Sequence, residues 1–197
     1  MMLKVSYTLL APFYDFVIGP AFRSARRRSL AALPPGAGWV LVNGVGTGLD
    51  LPWLPPGPSY VGLDLTRAML ARSIRRAAGL EFAAVQADSL ALPFADASFD
   101  HAVLHLILAV VPDAARALSE TARVVRPGGS ILVFDKFLRP GQRAPLRRLL
   151  SPLAARAATR LDVVFEDLLP QVPAVRVVSD EPAAGGGWFR LIRMERL

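Results

Sequence analysis

The fold class is decided by the stretch Trp39-Val40-Leu41-Val42-Asn43-Gly44-Val45-Gly46-Thr47-Gly48. It begins with a short apolar run, which is typical of a strand buried in a parallel sheet. Its three glycines let the backbone turn sharply and let a ligand approach closely, with the N-terminus of the next helix expected behind them. In an open α/β sheet, ligands bind beyond the carboxyl ends of the strands. The stretch therefore predicts a buried strand that ends in a ligand-binding loop.

The glycine spacing narrows the kind of ligand. The pattern is G-x-G-x-G, whereas the dinucleotide fingerprint G-x-G-x-x-G would place a glycine at Leu49. The sequence also lacks the G-K-[ST] motif of phosphate-binding loops. Both observations argue against a nicotinamide or flavin cofactor and against nucleoside triphosphate chemistry.

Strand and helix patterns alternate on either side of this loop. Further strands are predicted at 60–63, 81–86, 99–104, 130–134, 175–179 and 189–195, and helices at 7–33, 66–78 and 113–125. The helix at 66–78 is expected to use Thr66 as its cap and to bury Met69, Leu70 and Ile74. A turn is expected at Arg126-Pro127-Gly128-Gly129.

These elements predict an α/β fold with a Rossmann-like, doubly wound, seven-stranded, mostly parallel sheet and N-terminal helices. The last two strands have no helix between them, so they predict an antiparallel C-terminal hairpin at one edge. The length of 197 residues suits a single domain, with an N-terminal helical lid over 1–35 and a Rossmann-like core over 36–197.

Composition excludes several classes of protein. With 53% hydrophobic and 20% charged residues, the chain is unlike a disordered protein. No apolar run reaches the roughly 18 to 20 residues that cross a bilayer, and no signal-peptide pattern occurs, so the expected location is cytoplasmic. The absence of cysteine excludes disulfides, thiolate metal sites, cysteine nucleophiles and arsenite methylation.

Acidic residues follow the second and third strands. Asp64 ends strand two, where a carboxylate can accept hydrogen bonds from both ribose hydroxyls of an adenosyl group. Asp88 follows strand three and is placed to receive the exocyclic amine of adenine, while Met69 can pack against the ring. Each aspartate taken alone could equally be a helix cap or a loop residue. Three successive strands each end in a residue that suits an adenosyl ligand, and together they favour such a ligand over the cap or loop interpretation.

Five sequence blocks occur in order over most of residues 7–135. They are Tyr14-Asp15 with Gly19-Pro20, Gly44-Val45-Gly46-Thr47-Gly48, residues 61–66 with Met69-Leu70, residues 87–94 with Ser98-Phe99-Asp100, and residues 123–129. In these blocks the chain resembles the class I methyltransferases, particularly the branch that contains quinone-biosynthesis C-methyltransferases and bacterial phosphatidylethanolamine N-methyltransferases.

The resemblance implies S-adenosylmethionine as cofactor, S-adenosylhomocysteine as its product, and no metal ion. It places the glycines at the methionine end of the cofactor, Asp64 at the ribose and Asp88 at adenine. The expected cofactor-binding residues are Asn43, Gly44, Gly46, Thr47, Gly48, Asp50, Asp64, Leu65, Met69, Asp88, Ser89 and His105.

One position departs from the family pattern. The family usually has an acidic residue two places before the first glycine, and this chain has Val42 there. The usual acid helps to organise the aminocarboxylate end of the cofactor. We predict that Asp50 or Asn43 takes over part of this role.

Catalysis by methyl transfer needs mainly positioning of the acceptor, and an acid–base residue only where the acceptor loses a proton. His105, just past strand four, is the candidate for that role, and a structural histidine is the alternative. Tyr14 from the lid is a second candidate catalytic residue, and Asp135-Lys136 after strand five are candidates to line the acceptor pocket.

The predicted function is an S-adenosylmethionine-dependent methyltransferase with a small-molecule or lipid-like acceptor. One alternative is a phosphatidylethanolamine N-methyltransferase at the membrane surface; another is a non-catalytic cofactor- or nucleic-acid-binding protein on the same fold. Nucleic acid is disfavoured because Leu104-His105-Leu106-Ile107 lacks the Asn/Asp-Pro-Pro-aromatic motif of many nucleic-acid methyltransferases.

The net charge of +7 raises the question of a basic surface. Apolar residues of the N-terminal segment, among them Phe13, Phe16 and Phe22, lie near a cluster of arginines, and such a helix can rest on an anionic membrane. The cluster comprises Arg23, Arg26, Arg27 and Arg28, and the segment 146–160 could extend it. The alternative is that these arginines only face water.

Overall fold

The computed structural model of the chain describes residues 22–34, 36, 38–142 and 160–197. The strands are β1 (Trp39–Asn43), β2 (Ser59–Asp64), β3 (Glu81–Gln86), β4 (Phe99–His105), β5 (Val125–Lys136), β6 (Val175–Ala184) and β7 (Phe189–Arg196). They form one seven-stranded sheet in the order β3-β2-β1-β4-β5-β7-β6.

The strand pairing confirms the predicted sheet. β1 pairs in parallel with β2 and β4, β2 with β3, and β4 with β5. β7 is antiparallel to both β5 and β6, so the C-terminal hairpin lies at one edge. β1 is buried from Val40 to Asn43, as expected for a central strand with both faces covered. The carboxyl ends of β1, β2 and β4 therefore meet at one edge of the sheet.

Three α-helices belong to the described part of the chain: α1 (Arg23–Leu30), α2 (Arg67–Arg76) and α3 (Ala114–Val124). α3 begins after Asp113, whose carboxylate accepts a hydrogen bond from the backbone N–H of Arg116 at 2.9 Å. Its buried face includes Leu118 and Thr121 and packs toward β5.

α2 differs from the predicted helix in two details. Thr66 occupies the N-cap position but makes no capping hydrogen bond, because its side chain and backbone N–H bond to the Asp64 carboxylate. Ile74 was expected on the buried face and is instead 56% exposed. It lies five residues after Met69, about 140° around the helix axis, and Ser73 takes the buried position.

The connection between β1 and β2 also departs from expectation. The helix N-terminus expected behind the glycine loop is absent from residues 44–58, which contain only the 3₁₀-helix Leu51–Trp53. Pro52, Pro55 and Pro56 explain this, because proline lacks a backbone N–H and restricts the residue before it. The short connection leaves room for α1, which contacts this 3₁₀-helix and β5.

β5 is longer than the strand predicted at 130–134, and the expected turn at 126–129 lies inside it. Phe99 pairs with Val125 and His101 with Ser130, so the four residues 126–129 stand opposite Asp100 alone. Gly128 has φ +80°, which permits this irregularity. The glycine-rich segment is therefore an irregularity within a strand and not a turn before one.

α1 lies within the helix predicted at 7–33, but its arginines do not form one exposed face. Arg26 is buried at 4% exposure, because it lies on the same side of α1 as Ala25, Ser29 and Leu30. The predictions for Tyr14, for residues 1–21 of the lid and for residues 146–159 fall outside the described residues. No helix in the described ranges is long and apolar enough to cross a bilayer.

Candidate functional site

The glycine loop is fastened to the end of β2 and to α2. The backbone N–H of Gly44 donates to the carbonyl of Leu63 at 2.9 Å. Gly44 has φ +76°, and a Cβ there would lie 2.8 Å from Cδ1 of Ile107. Gly48 has φ +83°, and a Cβ there would lie 2.9 Å from Cα of Ser73. Both positions require glycine, since a larger residue would meet strain and a steric clash together.

Asp64 lies at the mouth of this loop, at the end of β2. One carboxylate oxygen accepts the backbone N–H of Thr66 at 2.8 Å, and the other accepts that of Gly46 at 3.1 Å. Burial raises the pKa of Asp64 above its usual value, although these hydrogen bonds act in the opposite direction. A carboxylate has about four acceptor sites, so Asp64 can still accept hydrogen bonds from a ligand.

A second carboxylate, Asp50, lies two residues after Gly48 and belongs to a buried polar network. Its Oδ1 accepts hydrogen bonds from Arg26 Nη1 at 2.6 Å and from His105 Nδ1 at 2.7 Å. His105 Nε2 is 2.9 Å from the hydroxyl of Ser29. All four residues are at most 6% exposed. The network ties α1 and the end of β4 to the glycine loop.

The electrostatics of Asp50 are opposite to those of Asp64. Burial by itself would raise the pKa of Asp50, but the charges and hydrogen bonds of His105 and Arg26 outweigh burial. They hold the pKa of Asp50 well below its usual range. Asp50 therefore stays ionised to lower pH than an ordinary aspartate does.

Comparisons with known proteins agree with this geometry. A family model described as a methyltransferase domain matches residues 41–133. A phosphatidylethanolamine N-methyltransferase of Cereibacter sphaeroides is 34% identical over 188 residues, which cover 93% of this chain and 92% of the relative. The chain belongs to the S-adenosylmethionine-dependent methyltransferases.

This methyltransferase is also similar to a second curated relative and to a solved structure. A demethylmenaquinone methyltransferase of Roseiflexus castenholzii is 38% identical over 178 residues, covering 82% of this chain and 74% of the relative. The solved structure of an S-adenosylmethionine-dependent methyltransferase of Thermotoga maritima has a TM-score of 0.71 at 20% identity, covering 99% of this chain and all of that one. The second likeness concerns the fold.

The cofactor of the methyltransferase is S-adenosylmethionine, and the polar groups of the site fit it. Asp64 keeps acceptor capacity for hydroxyl groups beside Gly46. The pair of Arg26 and Asp50 places opposite charges beside the glycine loop, which suits a zwitterionic aminocarboxylate. Among the residues that the structure describes, no three His, Asp or Glu side chains are grouped to hold a metal ion.

Several expected cofactor residues also make hydrogen bonds that hold the loop in place. Asn43 is completely buried; its Oδ1 accepts from the Ser89 hydroxyl at 2.6 Å, and its Nδ2 donates to Thr121 Oγ1 at 3.0 Å. Thr47 accepts hydrogen bonds from Arg76 Nη1 at 2.8 Å through both its carbonyl and its hydroxyl oxygen. Asn43 therefore has both polar side-chain atoms engaged within the protein.

Of the residues expected around adenine, Met69 lies in α2 and Asp88 in the loop after β3, while Leu65, a further expected cofactor residue, directly follows β2. Leu65 is 44% exposed and Met69 is 7% exposed. Asp88 is exposed, and its Oδ1 accepts the backbone N–H of Leu90 at 2.9 Å. This local hydrogen bond engages one carboxylate oxygen of Asp88.

His105 lies in the network at the end of β4, as the sequence placed it. Both ring nitrogens have partners, Asp50 and Ser29, and the ring stands edge-on to Phe134 with 5.6 Å between centroids. This arrangement presents no unbonded ring nitrogen to an acceptor. The second catalytic candidate, Tyr14, lies outside the described residues.

Asp135 and Lys136, expected near the acceptor, differ in environment. Asp135 is completely buried, and its carboxylate accepts the backbone N–H groups of Ala109 at 3.0 Å and Lys136 at 2.8 Å. Burial raises the pKa of Asp135 and lowers that of Lys136. Asp135 thus holds the loop that follows His105.

Sequence reasoning missed Ser29 as a site residue and treated Arg26 as part of a surface cluster. The available signal was their helical spacing, since residues three apart share a helix face. Ser29 and Arg26 share the face that carries Ala25 and Leu30, which is the buried one.

Proposed function

We propose that this methyltransferase methylates the amine of a phosphatidylethanolamine-type headgroup at an anionic membrane surface. The observation that carries the proposal is the similarity to the phosphatidylethanolamine N-methyltransferase of Cereibacter sphaeroides, which spans 93% of the chain and 92% of the relative. Similarity over nearly the whole of both chains includes the segments that lie outside the cofactor-binding core.

A basic aromatic surface supports the membrane part of the proposal. The guanidinium groups of Arg23 and Arg27 lie 5.9 and 5.2 Å from the ring centroid of Trp53. Both arginines are exposed and have no ion-pair partner within the described ranges. We call Arg23, Arg27 and Trp53 the Trp53 patch. An indole beside two cations suits the headgroup region of an anionic bilayer.

The other arginines of the predicted cluster are engaged elsewhere. Arg26 is paired with Asp50 inside the protein, and Arg28 pairs with Glu181 at 2.9 Å on the surface. The proposal therefore places membrane contact on Arg23 and Arg27, and not on all four arginines.

The residues of the site act by binding and positioning. We assign the glycine loop to the methionine end of the cofactor, Asp64 to the ribose and Asp88 to adenine. When bound, S-adenosylmethionine supplies an electrophilic methyl group on a sulfonium, which becomes a thioether as the amine nitrogen gains the methyl group and releases a proton. His105 keeps Asp50 and α1 in place around this loop, and an acid–base role for His105 is the alternative that kinetics can test.

The activity test uses vesicles with a radioactive methyl donor. The purified chain is incubated with labelled S-adenosylmethionine and vesicles of phosphatidylethanolamine and phosphatidylglycerol. We expect labelled N-methylated lipid in the organic phase. Vesicles in which phosphatidylcholine replaces phosphatidylethanolamine are the control, because their headgroup amine is already fully methylated. Absence of labelled lipid from the first vesicles contradicts the proposal.

Quinone C-methylation is the second candidate, favoured by the 38% identity with the demethylmenaquinone methyltransferase. Demethylmenaquinone in the control vesicles tests it under the same conditions. Label in the quinone alone would replace the first proposal by the second. Cofactor binding with no transfer to either acceptor would favour a non-catalytic protein.

Flotation with vesicles tests the Trp53 patch. Each arginine near an anionic surface contributes about 1 kcal/mol, so replacing Arg23 and Arg27 by glutamine should reduce partitioning about 30-fold. The matched control replaces Arg67 and Arg75 of α2, two arginines with no described ion-pair partner, by glutamine. Equal losses for both double variants would mean that net charge alone, and not the patch, carries the binding.

A further inference from the structure

Because Val42 replaces the usual acidic residue, other side chains must bind the methionine end of the cofactor. The methionine end of the cofactor is a zwitterion, with an ammonium and a carboxylate on one carbon. The residue before Asn43 that usually serves this end is apolar here. A site that binds the zwitterion without water therefore needs an acceptor for the ammonium and a cation for the carboxylate.

Arg26 has a buried donor that no described residue uses. Its side chain is 5% exposed, and Nη1 donates to Asp50 Oδ1 at 2.6 Å. Its Nε is completely buried and has no hydrogen-bond partner in the described part of the chain. Buried polar atoms in native proteins are almost always hydrogen-bonded, so the unused N–H of Arg26 points to an acceptor supplied by a ligand.

Asp50 has the complementary property. Both of its described hydrogen bonds, from Arg26 and from His105, go to Oδ1. Its Oδ2 accepts none within the described ranges. The unused carboxylate oxygen and the unused guanidinium N–H belong to the two partners of one ion pair, and Asp50 lies two residues after Gly48.

We infer that Arg26 binds the carboxylate of the methionine end of the cofactor, with Asp50 binding the ammonium beside it. The Ser29–His105 pair then acts as support, because it fixes the Asp50 oxygen that orients Arg26. A guanidinium suits this role, since its donors are held in a plane that matches a carboxylate. The inference rests on the cofactor and not on the acceptor, so its failure leaves the lipid proposal unaffected.

Calorimetry with two ligands tests this assignment. S-adenosylhomocysteine carries the aminocarboxylate, and 5′-methylthioadenosine lacks it while sharing the adenosine and the sulfur. In Arg26→Gln, we expect the affinity for S-adenosylhomocysteine to fall about 10- to 100-fold, and the affinity for methylthioadenosine to change by less than about 2-fold. Arg28→Gln, on the same helix and exposed, is the matched control and should bind both ligands as the wild type does.

Two outcomes overturn the assignment. Equal losses for both ligands would show that Arg26 acts only through the position of α1, and unchanged affinity for S-adenosylhomocysteine would show that it is not a ligand. If Arg26→Gln does not fold, the wild-type protein provides the test by NMR. The Nε–H resonance of Arg26, identified by its absence in Arg26→Lys, should shift on addition of S-adenosylhomocysteine and not of methylthioadenosine; the same response to both ligands would contradict the assignment.

Discussion

Two carboxylates at the same edge of the sheet have opposite electrostatic environments. Asp64 is held by the backbone N–H groups of Thr66 and Gly46, and burial raises its pKa. Asp50 is held by the side chains of Arg26 and His105, and these partners lower its pKa in spite of burial.

The difference shows that carboxylates at one edge of the sheet can serve both ligand binding and the attachment of a helix. Backbone amides are neutral donors, so they position the Asp64 carboxylate while leaving its charge available to a ligand. The buried guanidinium of Arg26 neutralises much of the charge of Asp50, and His105 adds a hydrogen bond, so this carboxylate also joins α1 to the glycine loop. We therefore expect Asp64 to matter mainly for cofactor affinity, and Asp50 to matter for stability in addition to the ammonium contact inferred above.

The largest effect should come from Asp50→Ala. Removing one partner of a buried ion pair leaves Arg26 without compensation, and such changes cost about 3–5 kcal/mol. For a domain of this size the melting temperature should fall by roughly 10 °C, as measured by calorimetry. Asp96→Ala is the control, because Asp96 pairs with Arg123 at 2.7 Å but is 78% exposed. A loss no greater than that of the control would remove the distinction between the two sites.

Asp64→Ala should have the next largest effect, on affinity and not on stability. Hydrogen bonds to a charged group contribute about 1.5–3 kcal/mol, so losing two ribose contacts should weaken S-adenosylhomocysteine binding by about 100-fold or more. Titration calorimetry measures this, with Glu81→Ala at the opposite end of the sheet as the control. If Asp64→Ala lowers the melting temperature as far as Asp50→Ala does, the assignment of Asp64 to ligand binding fails.

His105→Ala should have an intermediate effect, since it removes one hydrogen bond from Asp50 and one from Ser29. We expect a loss of about 1–3 kcal/mol of stability and a pH profile of kcat with the same shape as that of the wild type. Loss of an ionisation from that profile would instead identify His105 as the general base. Unchanged turnover would remove His105 from the mechanism altogether.

The smallest effect concerns pH. The pKa of Asp64 is raised, so its protonation begins above the usual value of 3.8, and cofactor affinity should fall as the pH is lowered toward that range. The same raised pKa means that protonating Asp64 does not destabilise the fold. Asp50 has a lowered pKa, so its contribution to stability is complete above pH 3.8 and is lost only below it. We therefore expect cofactor affinity to fall between pH 7 and about pH 4 while the contributions of these two groups to the melting temperature do not fall. A parallel decline of affinity and melting temperature would contradict the opposite pKa shifts of Asp64 and Asp50.

Local patterns account for what could be predicted from the sequence. The apolar run before Gly44 predicted β1, and the absence of a helix before the last strand predicted the antiparallel hairpin. The prediction for the adenosine side placed Asp64 at the end of β2, where its partners Thr66 and Gly46 are near in sequence. The burial of Ile74 was predicted wrongly, because a short apolar pattern does not define which helix face meets the sheet.

The sequence by itself determined the strand segments, the glycine loop and the position of Asp64, because these depend on local patterns and, for Asp64, on hydrogen-bond partners at most 18 residues away. Only the tertiary structure decided that Arg26 is buried against Asp50 and that both nitrogens of His105 are bonded. Their partners lie 24, 55 and 76 residues apart along the chain. Helix α1, the loop after β1 and the end of β4 meet only when the sheet has assembled, so no local pattern carries that information.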